Sequence, residues 1–285
     1  MKNNRGTLVK RLLFWSVIFS FVYFPSFIFS TQVPLKVDEN SLLRYSSRIY
    51  SQYGEEGILS HILTKLNLKT GFFVEFGGWD GEHLSNTRFL AERGWKGAFI
   101  EADEALSKMA KKNCARLNVQ CIQEFVTWPQ AQSQGKTLEQ IANLYFPHQE
   151  IDVLSVDIDG PDFLILEQLK LRPKVIIIEG GICWSPFLTK RVPDRIAKRE
   201  VNQPLQVICE IAKKKGYKPV CFTINTFFVR EDLFKPFENV KNDPMTLWFD
   251  SWYYYKDKAP EIASYVRGIR ASHASIQQYD PFTIP

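Results

Sequence analysis

Phe72-Phe73-Val74-Glu75-Phe76-Gly77-Gly78-Trp79-Asp80-Gly81, followed by Glu82-His83-Leu84-Ser85-Asn86-Thr87, decides how this chain is read. Phe72 to Phe76 are apolar apart from Glu75, the pattern of a strand covered on both faces. Gly77, Gly78 and Gly81 carry no Cβ, so the backbone there can turn sharply and lie close to a ligand. Ser85 or Asn86 then caps a helix predicted over Leu84 to Arg93, with Gly94 as its terminator. A strand, a glycine turn and a helix N-terminus together make a nucleotide pocket at the carboxyl edge of a parallel sheet. The plain alternative for this segment is a glycine-rich connection that binds nothing.

Working outward, Ser51 to Gly57 leads into apolar positions Ile58, Leu59, Ile62, Leu63 and Leu66 at helical spacing. Residues 31–50 read as a linker. Beyond the glycine turn, Gly97 to Glu101 is a second strand ending in an acid, Ala105 to Leu117 a basic helix and Val119 to Val126 a third strand. Thr137 to Tyr145 is a short helix. Ile151 to Gly160 is a fourth strand with Asp157 and Asp159 at its carboxyl end, and Phe163 to Leu169 a helix. Lys174 to Gly181 is a fifth strand, with Glu179 as the acid near its end, and residues 182–204 a long, Pro-broken loop. Leu205 to Lys215 is a helix. Tyr217 to Thr223 and Asn225 to Arg230 are two strands separated by so little that only an antiparallel pair is possible. The fold class expected is therefore α/β: a doubly wound, mostly parallel, seven-stranded Rossmann-like sheet with an antiparallel closing strand. The domain is placed at residues 36–235. Residues 236–285 form an aromatic-rich extension, in which Trp248, Phe249 and Trp252 to Tyr255 either pack onto the domain or make a wall of a substrate or partner surface.

The chain has 285 residues and a formal charge of +5. Lys2, Arg5, Lys10 and Arg11 supply four of the 36 bases, and residues 1–35 hold no acid, which leaves 32 bases against 31 acids elsewhere. That balance excludes a nucleic-acid groove as the main function. The uncharged run Leu12 to Ser30 is long enough to cross a bilayer as a helix, and the basic flank predicts a cytoplasmic N-terminus. Residues 1–35 are thus an N-terminal hydrophobic helix with its flanks, either an uncleaved membrane anchor or an export signal cut after Ser30. The five cysteines show no CxxC pair, and the four histidines no ligand spacing. GxSxG and HExxH are absent.

Three strands end in carboxylates, namely Glu101, Asp157 with Asp159, and Glu179, and strand ends at one edge of a parallel sheet face one crevice. Glu101 follows the glycine turn by about twenty residues, the interval at which a Rossmann-type fold puts a ribose-binding acid. Such a lining, with Asp80 inside the turn, repels phosphates, and the glycines do not fit GxGxxG. A dinucleotide is disfavoured, whereas S-adenosylmethionine carries a sulfonium, an amino group and a ribose but no phosphate. Asp157 and Asp159 alternate on the fourth strand and are expected on one face. There one of them accepts a proton from a substrate hydroxyl, or the pair binds a divalent metal with Glu179 as third ligand, or both merely cap the next helix or pair with lysines.

Taken as a set and in order, Ser51-Gln52-Tyr53-Gly54-Glu55-Glu56-Gly57, Val74 to Gly81, Leu84-Ser85-Asn86-Thr87, Gly94-Trp95-Lys96-Gly97, Ser155 to Gly160 and Asn225 to Arg230 resemble FkbM-type S-adenosylmethionine-dependent methyltransferases over roughly residues 45 to 235. The resemblance implies a class I methyltransferase fold, O-methylation of a sugar or other small hydroxyl acceptor, and no general metal requirement. The candidate cofactor-binding residues are Gln52, Glu56, Glu75, Gly77, Gly78, Asp80, Gly81, Ser85, Asn86, Glu101 and Asp103. The candidate catalytic residues are Asp157, Asp159 and Glu179. Where relatives tend to have Asn and Pro after the fifth strand, this chain has Gly180-Gly181-Ile182-Cys183-Trp184. With an N-terminal membrane signal, the alternative is a non-catalytic, tethered or exported binding module on the same fold.

Overall fold

Phe72–Phe76 is strand β1, and all five of its residues are buried, Glu75 included. The computed structural model describes residues 36–128, 135–160, 162–181, 184–193 and 202–259. All belong to the unit Val33–Pro285. The remaining strands are β2 (Lys96–Glu101), β3 (Val119–Gln123), β4 (Val153–Val156), β5 (Val175–Glu179), β6 (Tyr217–Phe222) and β7 (Asn225–Arg230). They form one sheet in the order β3-β2-β1-β4-β5-β7-β6. The first five are parallel, and β7 runs antiparallel to both β5 and β6. The expected α/β sheet is present, with one difference. The antiparallel strand does not close the sheet at its edge; it is inserted between β5 and β6, and β6 is the edge.

Helices α1 (Glu55–Lys65), α2 (Arg88–Glu92), α3 (Glu104–Asn113), α4 (Leu138–Tyr145), α5 (Asp162–Gln168), α6 (Leu205–Lys214) and α7 (Pro244–Tyr255) connect or flank the strands. Their starts have local causes. Asp103 accepts from Leu106 N at 2.9 Å, and Thr137 with Gln140 makes a capping box. The helix expected from Leu84 forms only from Arg88, because the three residues before it, Ser85, Asn86 and Thr87, are drawn away to the Glu75 carboxylate. Leu84 takes φ +56° as the chain leaves the helical path.

The expected linker is also partly folded. Leu42 and Leu43 are 4% and 1% exposed in a 3₁₀ turn against α1. Helix α7 turns the aromatic cluster inward: Trp248, Phe249 and Tyr255 are buried, while Trp252, Tyr253 and Tyr254 are half-buried against the core. Each large apolar side chain buried this way contributes roughly 2–3 kcal/mol. The N-terminal hydrophobic helix, residues 260–285 and part of the 182–204 loop lie outside the described residues. Among the described residues no helix is long and apolar enough to cross a membrane.

The sheet reverses direction of winding between β1 and β4, and there the loops after the two strands touch. Gly77 has φ +67°, and a Cβ on it would run into the carbonyl oxygen of Asp157. Gly94 shares the left-handed conformation at φ +83° but has nothing within 4 Å of a built Cβ. Urea unfolding should therefore separate the two positions. Gly94→Ala is expected to cost about 1 kcal/mol from backbone strain alone. Gly77→Ala is expected to exceed about 3 kcal/mol, because backbone must move as well.

Candidate functional site

A cavity of about 620 Å³ opens at the carboxyl ends of β1, β2, β4 and β5, within the size range of small-ligand sites. Among the described residues its lining includes Gln52, Glu75, Gly77, Asn86, Glu101, Asp157, Asp159, Glu179 and Asn225, with Trp79, His83, Phe125 and Trp128 as aromatic members. Six of the lining residues are carboxylic acids and none is lysine or arginine. Of those six, Glu124 has a basic partner, Lys136 at 2.6 Å, which lies outside the lining.

Glu101 ends β2 with both carboxylate oxygens oriented. Oε2 accepts from Trp79 N at 3.0 Å and Oε1 from Asp103 N at 2.9 Å. Each oxygen retains lone-pair capacity, so the side chain can accept from two further donors without reorganising. Trp79 itself holds φ +45° and is 46% exposed beside the cavity, an uncommon backbone conformation for so bulky a residue.

Asp157 and Asp159 lie past the end of β4, and Asp159 takes φ +55°. The alternation expected of a strand therefore does not apply to them; a turn brings them together. One carboxylate oxygen each from Asp157, Asp159 and Glu179 lies within 4.8 Å of the others. Among the described residues none of the three has an ion-pair partner. Burial, then Glu179, Asp162, Asp159 and Glu75, hold the Asp157 carboxyl well above the ordinary carboxylate range. Burial, then Asp162 and Asp159, push Glu179 up to about 8.

Two carboxylates brace this arrangement from behind. Glu75, 3% exposed, accepts from Ser85 Oγ (2.6 Å), Thr87 Oγ1 (2.6 Å) and Asn86 N (2.8 Å). Burial raises its pKa, and those hydrogen bonds offset part of the rise. Asp162, fully buried, accepts from Ile158 N (2.8 Å), Gly160 N (3.0 Å) and Asn202 Nδ2 (3.1 Å). Asn202 Nδ2 also reaches the carbonyl of Glu179 at 2.7 Å, so one amide ties the ends of β4 and β5 together. Burial pushes Asp162 up to about 6 against its backbone donors.

The cavity thus gathers Gln52, Glu75, Gly77, Asn86, Glu101, Asp157, Asp159 and Glu179 from the sequence-derived set. It does not gather the others among its lining. Glu56 spends its carboxylate on the N–H groups of Ile49, Tyr50 and Ser51 and on the Ser51 hydroxyl. Gly78 N bonds the Ile100 carbonyl, and Gly81 lies against Cys114. Asp80 Oδ1 accepts from Glu82 N and His83 N within its own turn, Asp103 caps α3, and Ser85 serves Glu75. Sequence reasoning missed Asp162, Asn202 and Asn225. The one local signal for the first was a third acid two residues past Gly160 of Asp157-Ile158-Asp159-Gly160.

Two measurements test these electrostatics. Asp162→Leu removes the shared acceptor of Ile158 N, Gly160 N and Asn202 Nδ2 and should cost about 3 kcal/mol in urea unfolding. For Glu179 the folded-state pKa is raised, so the folded chain holds a proton that the unfolded chain releases. Its stabilising contribution is complete below the ordinary value of 4.5 and is lost as pH rises to about 8. In chelator-containing buffer, the Tm of Glu179→Gln should therefore gain on the wild type through that window and stop gaining above it.

The chain matches no model of a known protein family, and no curated protein matches it in sequence. Among solved structures it is similar to the O-methyltransferase TomG from Streptomyces achromogenes in complex with SAM, at 16% identity over 70% of this chain and 92% of that one, TM-score 0.42. It is also similar to magnesium protoporphyrin IX methyltransferase (ChlM) from Synechocystis PCC 6803 with bound SAM, at 14% identity over 62% and 77%, TM-score 0.38. A SAM-dependent methyltransferase from Aquifex aeolicus is similar at 15% identity over 60% and 86%, TM-score 0.37.

Proposed function

We propose that this chain binds S-adenosylmethionine in the acidic cavity and methylates a hydroxyl of a small-molecule or glycan acceptor, as its resemblance to FkbM-type methyltransferases implies. The observation that carries the reading is the charge of the lining: six acids and, among the described residues, no lysine or arginine. A pyrophosphate would be repelled there, whereas a cationic nucleoside without phosphate is attracted. The donor set fits such a group. Glu101 holds lone pairs ready for two ribose hydroxyls, and the half-exposed Trp79 offers a flat apolar face.

When bound, the cofactor supplies an electrophilic methyl group on a sulfonium. The chain's own residues supply the rest. Glu101 fixes the ribose. The carboxylates of Asp157, Asp159 and Glu179 receive an acceptor hydroxyl, and whichever of them is ionised takes its proton; the burial that raises Asp157 and Glu179 makes each a stronger base once ionised. Glu75 and Asp162 position those groups without touching the ligand. On this reading the N-terminal segment Leu12 to Ser30 anchors the domain to a membrane or exports it.

Calorimetry of the full-length chain in detergent with S-adenosylmethionine tests the proposal. Saturable binding is expected, and Glu101→Ala should weaken it by about 10- to 100-fold, the loss of one to two charge-assisted hydrogen bonds. Folded protein that shows no binding would remove the methyltransferase reading.

A further inference from the structure

The carboxylates of Asp157, Asp159 and Glu179 are arranged as ligands are arranged around an ion. Their oxygens lie within 4.8 Å of one another. Oxygens on opposite sides of a single divalent ion, bound at about 2.1–2.4 Å, are separated by roughly 4–5 Å. The cluster is therefore of the size that gathers around one ion, with side-chain shifts of a few tenths of an ångström at most, and no lysine or arginine lines the cavity among the described residues to neutralise it instead.

A second feature points to a ligand independently of the acids. Asn225 is 5% exposed and lines the same cavity, yet its Oδ1 has no hydrogen-bond partner. The amide orientation is fixed by its other end: Nδ2 donates to Glu55 Oε1 at 3.4 Å, a carboxylate that could not accept from the oxygen. Asn225 stands opposite Glu179 in the β5–β7 register, so the two side chains share one face of the sheet. A buried amide oxygen without a donor costs stability unless something electropositive reaches it.

We propose that Asp157, Asp159 and Glu179 bind one divalent cation that prefers oxygen ligands, of the Mg²⁺, Mn²⁺ or Ca²⁺ class, with the Asn225 amide oxygen facing it directly or through a water. The set contains no imidazole or thiolate, so the softer metals have no preferred ligand in it. With a cation there the three carboxylates serve as its ligands, and the acceptor hydroxyl meets the ion rather than the bare acids. The ion thereby selects acceptors that can offer it oxygen, such as vicinal diols of a sugar. The acceptor class rests on the methyltransferase reading; the cation site does not.

Paramagnetic resonance of Mn²⁺ titrated into the full-length chain in detergent tests it. The six-line signal of free Mn²⁺ should be lost up to one ion per chain. Asp159→Asn should weaken that binding at least about tenfold. This substitution keeps the left-handed φ of +55° accessible, since Asn adopts it readily. Glu179→Gln is the second variant and should weaken binding likewise, with circular dichroism establishing that both are folded. No stoichiometric Mn²⁺ site, or a site that survives both substitutions, would overturn the proposal. S-adenosylmethionine calorimetry in chelator is read separately. Its failure beside intact Mn²⁺ binding removes the methyltransferase reading and leaves the cation site standing, and the reverse result does the opposite.

Discussion

Like charges held close together are the constraint on which this structure turns. Two carboxylates about 5 Å apart, at an effective dielectric of about 20, repel by roughly 3 kcal/mol. Three such pairs approach the whole stability of an ordinary domain, about 5–15 kcal/mol. The fold accepts this at the ends of β4 and β5 and must neutralise it with protons or with a bound cationic group. Everything around the cavity serves that concentration of charge. The glycine at 77 allows the loop of Asp157 to come close, and Asp162 and Asn202 hold that loop against β5.

Three buried acids whose oxygens are taken up by neighbouring chain perform a different task. Glu75, Glu55 and Asp162 accept hydrogen bonds from hydroxyls, amides and backbone N–H groups, with no base among their hydrogen-bond partners. Each gathers a length of irregular chain onto a rigid element: Glu75 the segment 85–87 onto β1, Glu55 the β6–β7 turn onto α1, and Asp162 the loop 158–160 onto α5. Loops that carry function are otherwise the least stable parts of a domain, and these carboxylates lend them the rigidity of the sheet.

Much of this was legible in the sequence, and the limits have physical causes. The strand Phe72–Phe76 and its glycine turn were readable because burial on both faces and positive φ leave direct marks on residue type. The acids at strand ends were readable because parallel strands end on one side. What a given acid does there was not. Asp80, Asp103 and Glu56 look like cavity residues on paper, yet each turns to N–H groups two to seven residues away, a choice set by local backbone geometry. Asn202 could not be found at all, since its partner Asp162 lies forty positions away and nothing local requires it. The position of β7 was missed for a similar reason: antiparallel pairing with β6 follows from the short turn, but which of the two reaches β5 depends on the whole sheet.

That position has a consequence for how the chain is made. Synthesis delivers β5 well before β7, so the backbone groups along Val175–Glu179 remain without their outer partner until Arg230 has emerged. An interrupted chain would present that open edge, flanked by the apolar run Val175 to Ile178, to any neighbouring strand. The same delay governs the cavity wall, because Asn225 meets Glu179 only when the sheet is complete. A ligand that requires both residues therefore recognises only finished molecules, and its capture would lock the last strand in place.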